Sequence, residues 1–155
     1  MKVERIDHIH IVVKDLREAA KFFGEIMGTK WVGPIESPGM PGMKTTFDTL
    51  GFELMQPTSP DTPLAKFIQK RGEGIYSIGL KVSNLDEAIA DLKDRGVRVA
   101  WRGSGKDFQN ESLRGVALTN PKDTHGVMFE LLEYDEWTPI SLANLDRLAD
   151  IPSPF

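Results

Sequence analysis

"IDHIHIVVKDLREAAKFF" (residues 6–23) lies over "IYSIGLKVSNLDEAIADL" (residues 75–92) without a gap. Ile6 falls on Ile75, Ile9 on Ile78, Val13 on Val82, Leu16 on Leu85, Glu18 on Glu87 and Ala19 on Ala88. Further along, "GFELM" (51–55) resembles "GVMFELL" (126–132), which sets Glu53 against Glu130. A period of about 70 residues indicates two copies of one supersecondary unit rather than a solenoid.

Each copy reads as strand, helix, strand, strand, strand. The first strand, about 4–14, is rich in β-branched residues, which suit a pleated surface. Asp15 is a plausible N-cap for a helix over 16–27, with Leu16, Ala19, Ala20, Phe23 and Met27 as its apolar stripe and Gly28 as its stop. "KWVG" predicts a short strand, and the Pro/Gly-rich "PIESPGMPGM" (34–43) a loop. "KTTFDT" and "FELMQP" predict a hairpin. In the second copy the corresponding elements are a strand at 74–83, a helix at 85–95, and strands at 98–102, 113–119 and 127–133. The predicted fold class is α+β, with two βαβββ modules (1–58 and 73–134) pairing into a curved, cleft-forming sheet. A linker helix occupies 59–72, and a tail, 135–155, has leucines three apart that predict a short helix.

Composition narrows the function. At 155 residues, the chain can bury an ordinary core. A net charge of −4 with no basic block leaves no footprint for nucleic acid. The absence of cysteine excludes disulfides and zinc–thiolate sites. No apolar run reaches the roughly 18 residues of a membrane span, and the start lacks a signal-peptide pattern. A soluble, cytoplasmic protein that acts on a small molecule is expected.

His8 and His10 lie two apart on the first strand and face the same way. The repeat equates His8 with Ser77, His10 with Gly79, and Glu53 with Glu130. If a pseudo-twofold axis relates the modules, His8, Ser77, Glu53 and Glu130 converge in the cleft. Imidazole and carboxylates meeting there are suitable ligands for a divalent metal. Both glutamates sit in mostly apolar runs, where an unpaired buried carboxylate is costly. Met40, Met43, Phe47, Phe52 and Met55 can line an apolar pocket or fill a core. Lys66, Lys70 and Arg71 form a basic cluster on the linker helix, either a solvated face or a surface that steers an acidic or phosphorylated substrate.

These residues resemble the vicinal oxygen chelate superfamily, which includes glyoxalase I, extradiol dioxygenases, bleomycin-resistance proteins and methylmalonyl-CoA epimerases. The likeness spans roughly residues 4–134 and is greatest to the epimerases. It rests on "IDHIHIVVKDLREAAKFF", "SPDTPLAKFIQKRGEGIYSIGLKV" and "THGVMFELLEY", with "PLAKFIQKRGEGI" (63–75) the least generic stretch. The resemblance implies a metal site from His8, Glu53, Glu130 and a second-module histidine, but Ser77 stands at that last position. His10 is the candidate replacement. The implied metal is divalent Co, Zn, Mn, Ni or Fe.

The implied reaction removes a proton beside a thioester carbonyl, for which the candidate bases are Glu130 and Glu36. Ser77 and His125 are candidate substrate contacts, an acyl-CoA is the expected substrate class, and a homodimer is the expected assembly. The alternatives are a lyase or dioxygenase of the same superfamily with an altered metal site, and a metal-free small-molecule-binding or resistance protein.

Overall fold

A computed structural model describes residues 1–36 and 39–135. The first module contains β1 (Val3–Val12), α1 (Leu16–Met27), β2 (Trp31–Glu36), β3 (Met43–Asp48) and β4 (Phe52–Pro57). The linker helix α2 (Pro63–Arg71) follows. The second module contains β5 (Gly74–Val82), α3 (Leu85–Asp94), β6 (Val99–Gly103), β7 (Leu113–Thr119) and β8 (Met128–Tyr134).

The repeated helix starts are repeated caps. The Asp15 side chain accepts from the Glu18 amide, and the Asn84 side chain from the Glu87 amide, satisfying a donor that has no partner inside either helix. Gly28 ends α1 in the left-handed region, at φ 66°. Thr62 caps α2 by accepting from the Ala65 amide, and Pro63 occupies the first turn, where a missing N–H costs nothing.

The eight strands form one mixed sheet, ordered β2-β3-β4-β1-β5-β8-β7-β6. β1 and β5 pair antiparallel at its centre, and each is flanked by the last strand of its own module, which runs parallel to it. The order is therefore the same read outward from the centre in either direction, as the repeat requires.

Both repeat helices pack on one side of the sheet. Leu16 and Ala20 of α1 close over Val13, Trp31 and Leu54. Leu85, Ala88 and Leu92 of α3 close over Val82, Ala117 and Leu131. Side chains alternate along a strand. With Leu54 and Leu131 under the helices, Glu53 and Glu130 face the opposite, concave side.

Two expectations shift. β2 continues to Glu36, beyond the predicted start of the loop, by a change of register between Val32 and Ile35 that carries the donor-less Pro34 past the ladder. The expected tail helix lies outside the described residues. No helix among the described residues is long and apolar enough to cross a membrane.

Candidate active site and metal centre

The β1–β5 pair builds the floor of the site. Ile6 pairs with Leu80 and Ile9 with Ile78, so Asp7 and His8 together stand opposite the single residue Gly79. This β-bulge turns two adjacent side chains inward. Asp7 and His8 are both buried, and His8 Nδ1 lies 2.7 Å from Asp7 Oδ1. The imidazole occupies space that only glycine leaves open opposite it: a Cβ on Gly79 would lie 2.9 Å from His8 Cε1.

His10 pairs with Ser77 across the same two strands and with Glu53 across β1 and β4, while Glu130 pairs with Gly79. Four donor atoms meet as a result. His8 Nε2 is 2.9 Å from His10 Nε2 and 3.1 Å from Glu130 Oε2. His10 Nε2 is 3.1 Å from Glu53 Oε2 and 3.8 Å from Glu130 Oε2. The ligand atoms of His8, His10 and Glu53 all lie within 4.8 Å of one another. The imidazoles stand edge to face, 89° apart, so their Nε2 atoms approach one point from different directions.

A second row of residues fixes these four. Asp7 holds His8 through Nδ1, and the Tyr134 hydroxyl donates to the other Asp7 oxygen. Arg5 Nη2 donates to the Tyr134 oxygen at 2.7 Å. Ser77 Oγ lies 2.7 Å from His10 Nδ1. The Thr45 hydroxyl donates to Glu53 Oε1 at 2.5 Å. A partner on the far ring nitrogen sets the tautomer that leaves Nε2 as the ligand atom.

The electrostatics are those of a cation seat. Burial disfavours the His8 cation, but the Asp7 hydrogen bond and the Glu130 and Glu53 carboxylates outweigh it and raise its pKa to about 10. Burial pushes the Glu53 carboxyl up, and His10, His8 and Thr45 hold it below the usual range nonetheless. Burial and the neighbouring Asp7 push the Tyr134 phenol up, which keeps it a donor. Without a metal the raised pKa keeps a proton on the His8 imidazole. A divalent metal neutralises the same charge and displaces that proton. Two imidazole nitrogens and two carboxylate oxygens form a donor set suited to first-row divalent ions, and the residues present fit such an ion.

The cluster floors a cavity of about 120 Å³ with mostly apolar walls, including Met40, Met43, Phe47, Phe108, Leu113 and Val116. Phe108 belongs to the loop between β6 and β7, and its ring lies against the Gly39 backbone, where a Cβ would sit 2.7 Å away. The two loops thus meet over the site. Met55 and Phe52 pack in the core instead.

The structure brings together His8, His10, Glu53 and Glu130. Ser77 stands behind them, against His10. Glu36 is exposed opposite Lys44 at the end of β2, and does not line the cavity that its neighbour Ile35 lines. His125 is exposed in a turn with φ 53° and also lies outside the cavity. Sequence reading missed Asp7, Thr45 and Tyr134. Only Asp7 had a visible signal, its adjacency to His8.

A family model described as the Glyoxalase/Bleomycin resistance protein/Dioxygenase superfamily matches residues 7–113. The chain is 33% identical over 136 residues to the human mitochondrial methylmalonyl-CoA epimerase, covering 82% of this chain and 72% of that protein. It is 30% identical over 132 residues to an ethylmalonyl-CoA/methylmalonyl-CoA epimerase of Cereibacter sphaeroides, covering 83% and 97%. Among solved structures, the Mycobacterium tuberculosis methylmalonyl-CoA epimerase superposes with a TM-score of 0.70 at 28% identity, over 86% of this chain and 90% of that one. With its paired modules and a fitting donor set at their junction, this chain belongs to the Glyoxalase/Bleomycin resistance protein/Dioxygenase superfamily.

Proposed function

We propose that this chain is a metal-dependent epimerase of the methylmalonyl-CoA type, moving a proton at the carbon between a thioester carbonyl and a carboxylate. The observation that carries the reading is the convergence of His8, His10, Glu53 and Glu130 on one point at the floor of a cavity, in a chain similar to enzymes named for that activity. A structure at 26% identity, the Streptomyces coelicolor methylmalonyl-CoA epimerase, is described in complex with 2-nitronate-propionyl-CoA.

His8, His10, Glu53 and Glu130 would hold the metal. A divalent ion there supplies Lewis acidity for the negative charge that develops on the carbonyl oxygen. The protein supplies the rest. Met43, Phe47 and Leu113 exclude water from the reacting carbon, and Asp7 and Ser77 hold the imidazoles in place. Glu130 is assigned as the base on one face of the substrate.

Inverting the centre requires a second proton carrier on the opposite face. Among the described residues Glu53 is the other carboxylate that lines the cavity, whereas Glu36 is exposed and does not line it. We assign the second role to Glu53, in place of Glu36.

Solvent deuterium incorporation at C2 of methylmalonyl-CoA, followed by mass spectrometry on metal-loaded protein, tests the reading. Incorporation with racemisation is expected, and its absence rejects the epimerase. Glu53→Gln keeps a ligating oxygen but cannot carry a proton, so it should stop racemisation while metal stays bound. Glu36→Gln should leave racemisation in place.

A further inference from the structure

The converging residues face the cavity from its floor, and two loops face them from above. The loop between β2 and β3 rejoins the sheet where Met43 pairs with Pro57, and the loop between β6 and β7 where Leu113 pairs with Tyr134. β4 and β8 each run parallel to the first strand of their own module, and those two first strands are antiparallel. The loops therefore rise from opposite ends of the sheet. They meet where the Phe108 ring lies against Gly39.

Phe108 is braced on both sides. A Cβ on Gly39 would come 2.7 Å from two of its ring carbons. Trp101 packs edge-on to the ring, 5.9 Å away and at 86°, and lies across Gly103, whose missing Cβ leaves it the space. The loop backbone is tied as well. The Ser104 amide and hydroxyl both donate to Asp107 Oδ2, at 2.6 and 3.0 Å, and the Asn110 amide donates to the Gly105 carbonyl at 2.8 Å. Met40 and Met43 also line the cavity, but an unbranched thioether adapts to what it meets. A braced ring with two χ angles yields far less.

The polarity of the cavity decides which part of a substrate meets this ring. The imidazoles and carboxylates lie at the floor, so both oxygen-bearing substituents of C2 in a 2-alkylmalonyl thioester turn towards them. When C2 becomes trigonal, its third substituent, the alkyl group, points away from the floor. Space there is short. The cavity measures about 120 Å³, less than the roughly 150 Å³ of an apolar cavity that takes one benzene. The two carbonyl groups and C2 fill much of it and leave room for a short alkyl group.

We propose that Phe108 sets the upper size of the 2-alkyl group that this site accepts, its braced ring being the surface on which that group ends. The inference rests on the thioester reading above and adds to it the substituent that the site measures.

Two measurements on metal-loaded protein test it, each on wild type, Phe108→Leu and Phe108→Ala. The first is kcat/KM for deuterium exchange at C2 of methylmalonyl-CoA and of butylmalonyl-CoA. Wild type should favour the methyl compound strongly, since one methylene too many in an apolar pocket costs about 10–200-fold. Phe108→Ala should narrow the ratio about tenfold or more by raising the butyl rate, with Phe108→Leu between the two. The second is calorimetric titration with free methylmalonate and butylmalonate, which involves no turnover, and affinities should shift in the same order. Phe108 is half-buried, and Phe108→Leu keeps an apolar side chain against Leu113 and Val116 if the alanine variant does not fold. An equal loss for both chain lengths, or an unchanged ratio, overturns the proposal and leaves the ring a packing role alone. If wild type exchanges no deuterium while the titrations still respond to Phe108 by chain length, the size limit stands and the epimerase reading falls.

Discussion

Replacing Ser77 with alanine should weaken metal binding without removing a ligand. The Ser77 hydroxyl lies 2.7 Å from His10 Nδ1, and both residues are almost fully buried, at 2% and 5% exposure. Water cannot readily take the place of the lost oxygen. The orphaned ring nitrogen costs about 1–3 kcal/mol, and losing such a supporting contact typically lowers metal affinity about 10–100-fold. The sharper perturbation moves the ligand. His8 lies over Gly79, and the same symmetry places residue 77 over residue 10. In Ser77→His/His10→Gly the imidazole should return to the second module, with glycine leaving it the space that Gly79 leaves His8. His10→Gly alone should lose metal by more than the 100-fold upper figure, since a ligand itself is gone. The double variant should recover most of that loss. Competition between the protein and a chromophoric chelator for Co(II) or Zn(II) gives the affinities, and the Co(II) absorption bands report coordination number. If the double variant binds no better than His10→Gly alone, the idea that His10 replaces a ligand lost from position 77 is wrong.

Three further outcomes follow from other contacts of the fold. Tyr134→Phe, which strips a donor from Asp7, should lower metal affinity about tenfold, and Asp7→Asn should lower it more, because the amide can present its N–H to His8 Nδ1; the chelator competition reads both, and unchanged affinity would dismiss the Asp7–Tyr134 support. Gly79→Ala puts a Cβ 2.9 Å from His8 Cε1, so the denaturation midpoint should reflect a loss of about 1–3 kcal/mol and metal affinity should fall with it. The Arg98 guanidinium, bonded to Asp123 at 2.7 and 2.8 Å, lowers the Asp123 pKa from 3.8 to about 2. A depressed carboxyl stabilises the fold above its unfolded value and loses that contribution as pH falls through its folded value. The stability difference between wild type and Asp123→Asn should therefore be constant above pH 4 and shrink from there towards pH 2, as urea titrations at stepped pH will show.

The repeat was legible because it is written in local patterns. β-Branched runs, an Asx cap and a glycine stop recur in both copies, and each acts within a few residues of itself. His8, Glu53 and Glu130 were legible as well, since a polar residue recurring at the same place in two apolar strands contradicts its surroundings in the same way twice. The sequence by itself therefore determined the two modules and three of the four converging residues. Tertiary structure decided the fourth. Whether His10 meets His8 depends on the register of β1 against β5 and on the bulge opposite Gly79, which involve residues about 70 apart and leave no local trace. The same register gave Ser77 its partner, and the fold brought Tyr134 to Asp7 from the far end of the chain. Glu36 lies outside the cavity for a related reason. Its neighbour Ile35 takes the inward position, and strand alternation, fixed only once β2 pairs with β3, turns Glu36 to solvent. Local propensity places residues on elements, whereas pairing between distant strands selects which of their side chains meet.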